Sequence, residues 1–264
     1  MSIEGLSKEI KEKYTFKDNA FRRVAKDNPK DLLTVEVGDT KQLDKFYPQM
    51  KISRWGDTVD DNECNVSIRL KDNEVGEEVV STLEDKIVWE KGNLISHFYE
   101  IAPCEKHPEG ASEFEIILKE KPKTNVIEFT LQDKDVEYLY QAEITQKQKD
   151  RGDIQPDNVI GYYAVYAKTP KTNWTGGKEY KVGKVGHIYR PRVVDSAGVE
   201  VWGGLHIEGG ILSVTIPQDF LDTAVYPIRH AAGLTFGYTT QGSSGGGFCT
   251  SISKYNVWAL KYSG

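Results

Sequence analysis

The stretch KVGHIYRPRVVDSAGVEVWGGLHIEGGILSVTIP, Lys184 to Pro217, decides the fold class. Its second half alternates with a period of two. Glu200, Trp202, His206 and Glu208 fall on one face, and Val199, Val201, Leu205 and Ile207 fall on the other, which is the core face. Turn residues interrupt the pattern at Asp195-Ser196-Ala197-Gly198 and at Glu208-Gly209-Gly210, and Pro217 stops it. The segment therefore reads as three strands of a β-meander.

The same period extends toward the N-terminus. LLTVEV, NVSIRL, KIVWE, LISHFYEI, SEFEIILKE, NVIEFTLQ and DVEYLYQ all read as strands, separated by Asn, Gly, Pro and Asp clusters that close turns. In NVSIRL, Val66, Ile68 and Leu70 face one way while Asn65, Ser67 and Arg69 face the other. VIGYYAVYA is an almost unbroken apolar and aromatic run, expected to be a central strand covered on both faces. Past Tyr47 the only helical signals are short turns at ITQKQKD and at PQDFLD, with Pro217 leading the latter. Without βαβ crossovers there is no dinucleotide fold, and no cofactor is expected.

The expected fold is all-β, two jelly-roll-like or Ig-like β-sandwich halves with a short N-terminal arm or helix. Residues 1–31 form the polar arm, 32–157 an acidic β domain, and 158–264 a β-sandwich domain with a Gly/Ser-rich tail, GSSGGGF, followed by a last candidate strand at YNVWALKY.

Charge sets the next bounds. Forty acidic and 34 basic residues leave a net charge of -6, the wrong sign for a protein whose main partner is a phosphate backbone, so no nucleic acid is expected. The charge is unevenly spread: residues 1–47 carry 10 basic and 9 acidic side chains, residues 48–158 carry 14 and 25, and residues 159–264 carry 10 and 6. Such polarity favours head-to-tail contacts between copies; a solvated outer sheet face in the acidic segment is the plainer account. No apolar run approaches the roughly 18 residues of a membrane helix, so no membrane span is expected. MSIEGLSKEIKEKY has no apolar segment of the signal-peptide kind.

Candidate chemistry is sparse. Cys64, Cys104 and Cys249 are scattered, with no CxxC pair, and read as reduced thiols. Gly242-Ser243-Ser244-Gly245-Gly246 matches GxSxG, but no helix follows to expose the serine, so it reads as linker. Arg151-Gly152-Asp153 sits in a polar run and reads as a solvated loop, and the sequons at Asn65 and Asn173 read as chance. His187 and Tyr189 share a face with Val185 and Val193, the setting of a core or edge histidine, while Arg190 and Arg192 point the other way. His97, His107 and His230 are isolated, and Trp55, Trp89, Trp174 and Trp258 read as packing or loop anchors. The face of Glu200, Trp202, His206 and Glu208 is the candidate binding surface: a tryptophan near a histidine and two carboxylates suits sugar stacking or a partner contact. One histidine with carboxylates two residues apart is a weak ligand set, and no metal is expected.

IPQDFLDTAVYPI followed by LTFGYTT resembles the end of β-sandwich modules in large bacterial surface and RHS-type proteins and in phage-like proteins, where a short turn precedes an A-x-YP-[VI] strand. The resemblance spans residues 158–240 and includes HIYRPRVVDSAGVEVWG. Its motif residues here are Ala224, Tyr226, Pro227 and Ile228; the Asp-Pro that commonly follows is replaced by Arg229-His230-Ala231-Ala232-Gly233. The resemblance implies a structural or adhesive scaffold without an active site.

These readings converge on a non-enzymatic structural or adhesion subunit of a virion, phage tail or extracellular filament, at the virion or cell surface, working through contacts with its own copies or a partner protein. A glycan-binding module centred on Trp202 is the alternative, and a carbohydrate-active enzyme with two carboxylates facing each other in a cleft is the third.

Overall fold

The computed structural model describes residues 5–24, 33–56, 63–105, 110–155, 159–173, 180–230 and 234–237. The N-terminal strands are β1 (Thr15–Lys17), β2 (Ala20–Val24), β3 (Leu33–Val37), β4 (Gln49–Arg54) and β5 (Cys64–Leu70). The middle of the chain adds β6 (Val79–Leu83), β7 (Lys86–Lys91), β8 (Leu94–Ile101), β9 (Ala111–Leu118), β10 (Val126–Lys134) and β11 (Val136–Tyr140). The rest supplies β12 (Tyr163–Asn173), β13 (Tyr180–Ile188), β14 (Arg192–Val194), β15 (Glu200–Trp202), β16 (Gly204–Glu208), β17 (Ile211–Thr215), β18 (Ile228–His230) and β19 (Leu234–Gly237). Three short helices complete the list: α1 (Lys8–Lys13), α2 (Gln146–Asp150) and α3 (Gln218–Thr223). None is long and apolar enough to cross a membrane.

The all-β reading is what the structure shows. One antiparallel sheet runs β1-β2-β3-β4-β5-β10-β17-β16. The second runs β6-β7-β8-β9 and then forks: β9 is bonded to β19 through Ala111–Phe114 and to β18 through Ile117 and Leu118. The β19 branch continues through β13 and β12 to β11, and the β18 branch through β14 to β15. Both sheets contribute to one core. Its aromatic path leaves the first sheet at Phe21, passes Phe46, reaches Phe98 and Phe114 on the second sheet, and returns to Phe129 on the first, with ring centroids 4.3 to 6.4 Å apart. All five rings are at most 1% exposed, and contacts at such separations add to the burial of apolar area.

The hydrogen bonding does not follow the expected division at residue 157. β10 is bonded to β17 and β9 to β18 and β19, so strands from the acidic segment and from the C-terminal segment share both sheets. The expected arm at 1–31 is likewise built into the sandwich over its described part. Ser7 caps α1, and Asp18 and Asn19, with φ of 52° and 56°, turn β1 into β2 as a two-residue hairpin. The reason is apolar: Ile10, Tyr14 and Phe21 are buried, and Phe16 packs on Phe21.

The apolar run expected at the centre becomes β12, which lies between β11 and β13, and its first four residues are a turn instead. The run VEVWGGLHIE, expected as one strand, splits at Gly203 into β15 on the second sheet and β16 on the first. A Cβ at Gly203 would meet Pro191 Cγ at 3.1 Å, so the crossing is tightly packed and favours a small residue.

Candidate functional site

β14 and β15 form a hairpin held by Asp195. Its Oδ1 accepts the N–H groups of Ala197 and Val199, and its Oδ2 accepts that of Val225. These donors hold the Asp195 carboxyl below the ordinary aspartate range, the Val225 bond foremost. Val199, expected in the core, is 55% exposed because it belongs to this turn.

The hairpin places Arg192 directly opposite Trp202. The Arg192 guanidinium pairs with the Glu200 carboxylate and lies 5.7 Å from the Trp202 ring centre. Arg190 also approaches the same ring, at 5.4 Å from its centre, while its Nε donates to the Gly203 carbonyl at 2.8 Å. Gly161 makes room for it, since a Cβ there would meet Arg190 Cδ at 2.7 Å. The terminal nitrogens of Arg190 have no acceptor among the described residues. Behind the arginines, Tyr162 packs edge-on against Tyr189 at 5.0 Å, and Tyr189 against His187 at 5.5 Å. Burial raises the Tyr162 hydroxyl pKa, and the nearby Arg190 and Arg192 charges pull it back.

The result is a cluster of tyrosine, arginine and tryptophan beside β15, which pairs only with β14 among the described residues. The indole, 45% exposed, has both guanidinium groups within 6 Å of its centre. Arginine and aromatic side chains in this arrangement are what contact surfaces concentrate.

The other two residues of the sequence-derived face go elsewhere. Past Gly203, His206 and Glu208 sit on β16 at the edge of the first sheet, both exposed and 3.5 Å from each other. The expected grouping of four therefore separates into Glu200 with Trp202 on one sheet and His206 with Glu208 on the other. The motif residues have a local role: Tyr226 donates its hydroxyl proton to the Leu221 carbonyl, the Pro227 carbonyl accepts from Ser196, and Ile228 is buried where β18 meets β9. Ala224 closes α3.

Two buried polar groups escaped the sequence reading. On β9, Glu113 and Glu115 are 0% and 2% exposed, and Glu115 lies 3.0 Å from His97 Nδ1 and 3.8 Å from Lys86 Nζ. Burial, with the charges of Glu113 and Glu115 next, pushes the Tyr99 hydroxyl pKa up. At the turn between β10 and β11, Asp135 accepts from Thr169 at 2.6 Å and pairs with buried Lys171 at 2.5 Å. Cys64 lies beside this pair, 3.5 Å from the Asp135 carbonyl, and burial pushes its thiol up to about 11, which makes it a poor nucleophile. In both clusters the charges tie strands together.

Among the described residues, no group of three or more His, Cys, Asp or Glu side chains is placed to hold a metal ion. Arg151 and Asp153 pair with each other at 3.0 Å, so the Arg-Gly-Asp loop turns its two charges inward on itself. Asn65 is half-buried in β5 and donates to Glu63. His107, Trp174, Cys249, the GxSxG string, the Gly/Ser tail, Trp258 and the candidate strand YNVWALKY lie outside the described residues. No family model, no curated protein and no solved structure matches the chain, so its own residues carry the functional argument.

Proposed function

We propose that the chain is a non-enzymatic structural or adhesion subunit of a repeated assembly such as a virion, a phage tail or an extracellular filament, acting through protein–protein contacts. The observation that carries this reading is the Trp202 strip: an exposed indole close to Arg190 and Arg192, on a strand with one neighbour among the described residues. An edge strand offers unpaired backbone groups, and a tryptophan with arginines supplies the anchor that concentrates contact energy.

Light scattering on the purified chain tests this reading. The wild type gives a mass that grows with concentration and falls as salt is added, and Trp202→Ala removes the growth without unfolding the chain. A monomer unchanged by concentration and by low salt contradicts it.

One observation favours a glycan-binding reading as the second. The exposed Trp202 ring has the Glu200 carboxylate and the open Arg190 nitrogens around it, as a sugar-stacking platform requires. Glycan-array silence removes that reading, as does array binding that survives Trp202→Ala.

A further inference from the structure

Two of the three ends of the forked second sheet, β15 and β6, differ in a way that bears on how copies meet. At one, β15 pairs only with β14 among the described residues and carries Trp202, with Arg190 and Arg192 near its ring; Val199 and Val225 are exposed beside it. At the other, β6 pairs only with β7 among the described residues and carries Val79 and Leu83, 48% and 57% exposed. This edge is acidic. Glu77 precedes the strand, Glu84 and Asp85 close its turn, and none of the three forms an ion pair among the described residues. One edge thus pairs exposed apolar side chains with guanidinium groups, and the other pairs them with uncompensated carboxylates.

An exposed strand edge with apolar side chains invites pairing, and proteins ordinarily block such edges with like charges, bulges or covering segments. Here the two edges carry opposite charge, so β6 against β6 repels, while β6 against β15 attracts. Open Arg190 nitrogens have the planar fork that binds carboxylates.

Resting on the contact reading above, we propose that the partner of the Trp202 strip is the β6 edge of a second copy of this chain. The contact is heterologous: each copy offers β15 at one end of the forked sheet and β6 at another. Repetition then gives a closed ring or an open row of subunits.

Sedimentation velocity on two single-edge variants of the full chain tests this. Leu83→Lys blocks β6 and leaves β15 intact, and Trp202→Ala does the reverse; Val79→Lys repeats the first should Leu83→Lys unfold. Each variant alone sediments as a monomer, weakened in association by about tenfold or more as a lost interface anchor implies. Their equimolar mixture forms a dimer and nothing larger, because each contributes one working edge. Growth of Leu83→Lys and Val79→Lys at the wild-type level overturns the proposal while leaving the Trp202 contact standing. A wild type that stays monomeric at every concentration overturns both.

Discussion

Strands β9 and β15 belong to the same sheet and reverse the usual placement of polar and apolar groups. β9 has neighbours on both edges and buries two carboxylates, Glu113 and Glu115, while β15 has one neighbour among the described residues and exposes a tryptophan. A buried carboxylate needs polar partners in place of water, and Glu115 has the His97 Nδ1 contact and the Lys86 ammonium for that. An indole stays in water at a free-energy cost unless something covers it. The buried charges therefore fix how β7, β8 and β9 align, and the exposed ring marks where the molecule has contact area to offer.

The contrast is sharpest in stability. Phe114→Ala, which removes a fully buried ring from β9, is expected to cost about 3–5 kcal/mol in urea unfolding, whereas Trp202→Ala shifts the dilute monomer by about 0.5 kcal/mol or less. Equal costs would erase the distinction between the strands. Next, Glu115→Ala is expected to destabilise by about 3 kcal/mol, since it leaves His97 and Lys86 without their carboxylate. Adding His97→Ala then costs clearly less than the sum of the single changes, and strict additivity in the cycle would show that the pair is not coupled.

Acid acts on the edge. The Asp195 pKa is lower in the folded chain than in the unfolded one, so its contribution is complete above the ordinary aspartate value and is lost as pH falls through the folded value. Hydrogen exchange at Ala197, Val199 and Val225 should therefore accelerate beyond its intrinsic pH trend only as the pH falls below the ordinary aspartate value. Asp195→Asn should make it fast already at neutral pH; protection that survives this change would remove Asp195 from the hairpin. The smallest effect concerns thiols. Cys64 is buried with its pKa near 11 and Cys104 is exposed, so peptide mapping after alkylation at pH 8 should find Cys104 modified about tenfold or more faster.

Most of the strands were legible because a half-buried strand alternates. NVSIRL and LISHFYEI became β5 and β8. The sheet switch at Gly203 was not, since period two continues across it and only the close approach of Pro191 reveals the crossing. The N-terminal hairpin hid in a charged segment, although Asp18-Asn19 between Phe16 and Phe21 was a two-residue turn signal. Half of the candidate site was within reach of the sequence. The turn at Asp195–Gly198 sets a register that brings Arg192 opposite Trp202. Arg190 lies beyond Pro191 and needed coordinates, as did Glu113 and Glu115, whose burial depends on flanking strands distant in sequence.

Electron microscopy of the purified full chain at low salt tests the central claim most directly. Subunits joined side to side in rows or closed rings, dispersed by Trp202→Ala, are the predicted result. Separate single particles at every concentration, identical in the wild type and the variant, would contradict it.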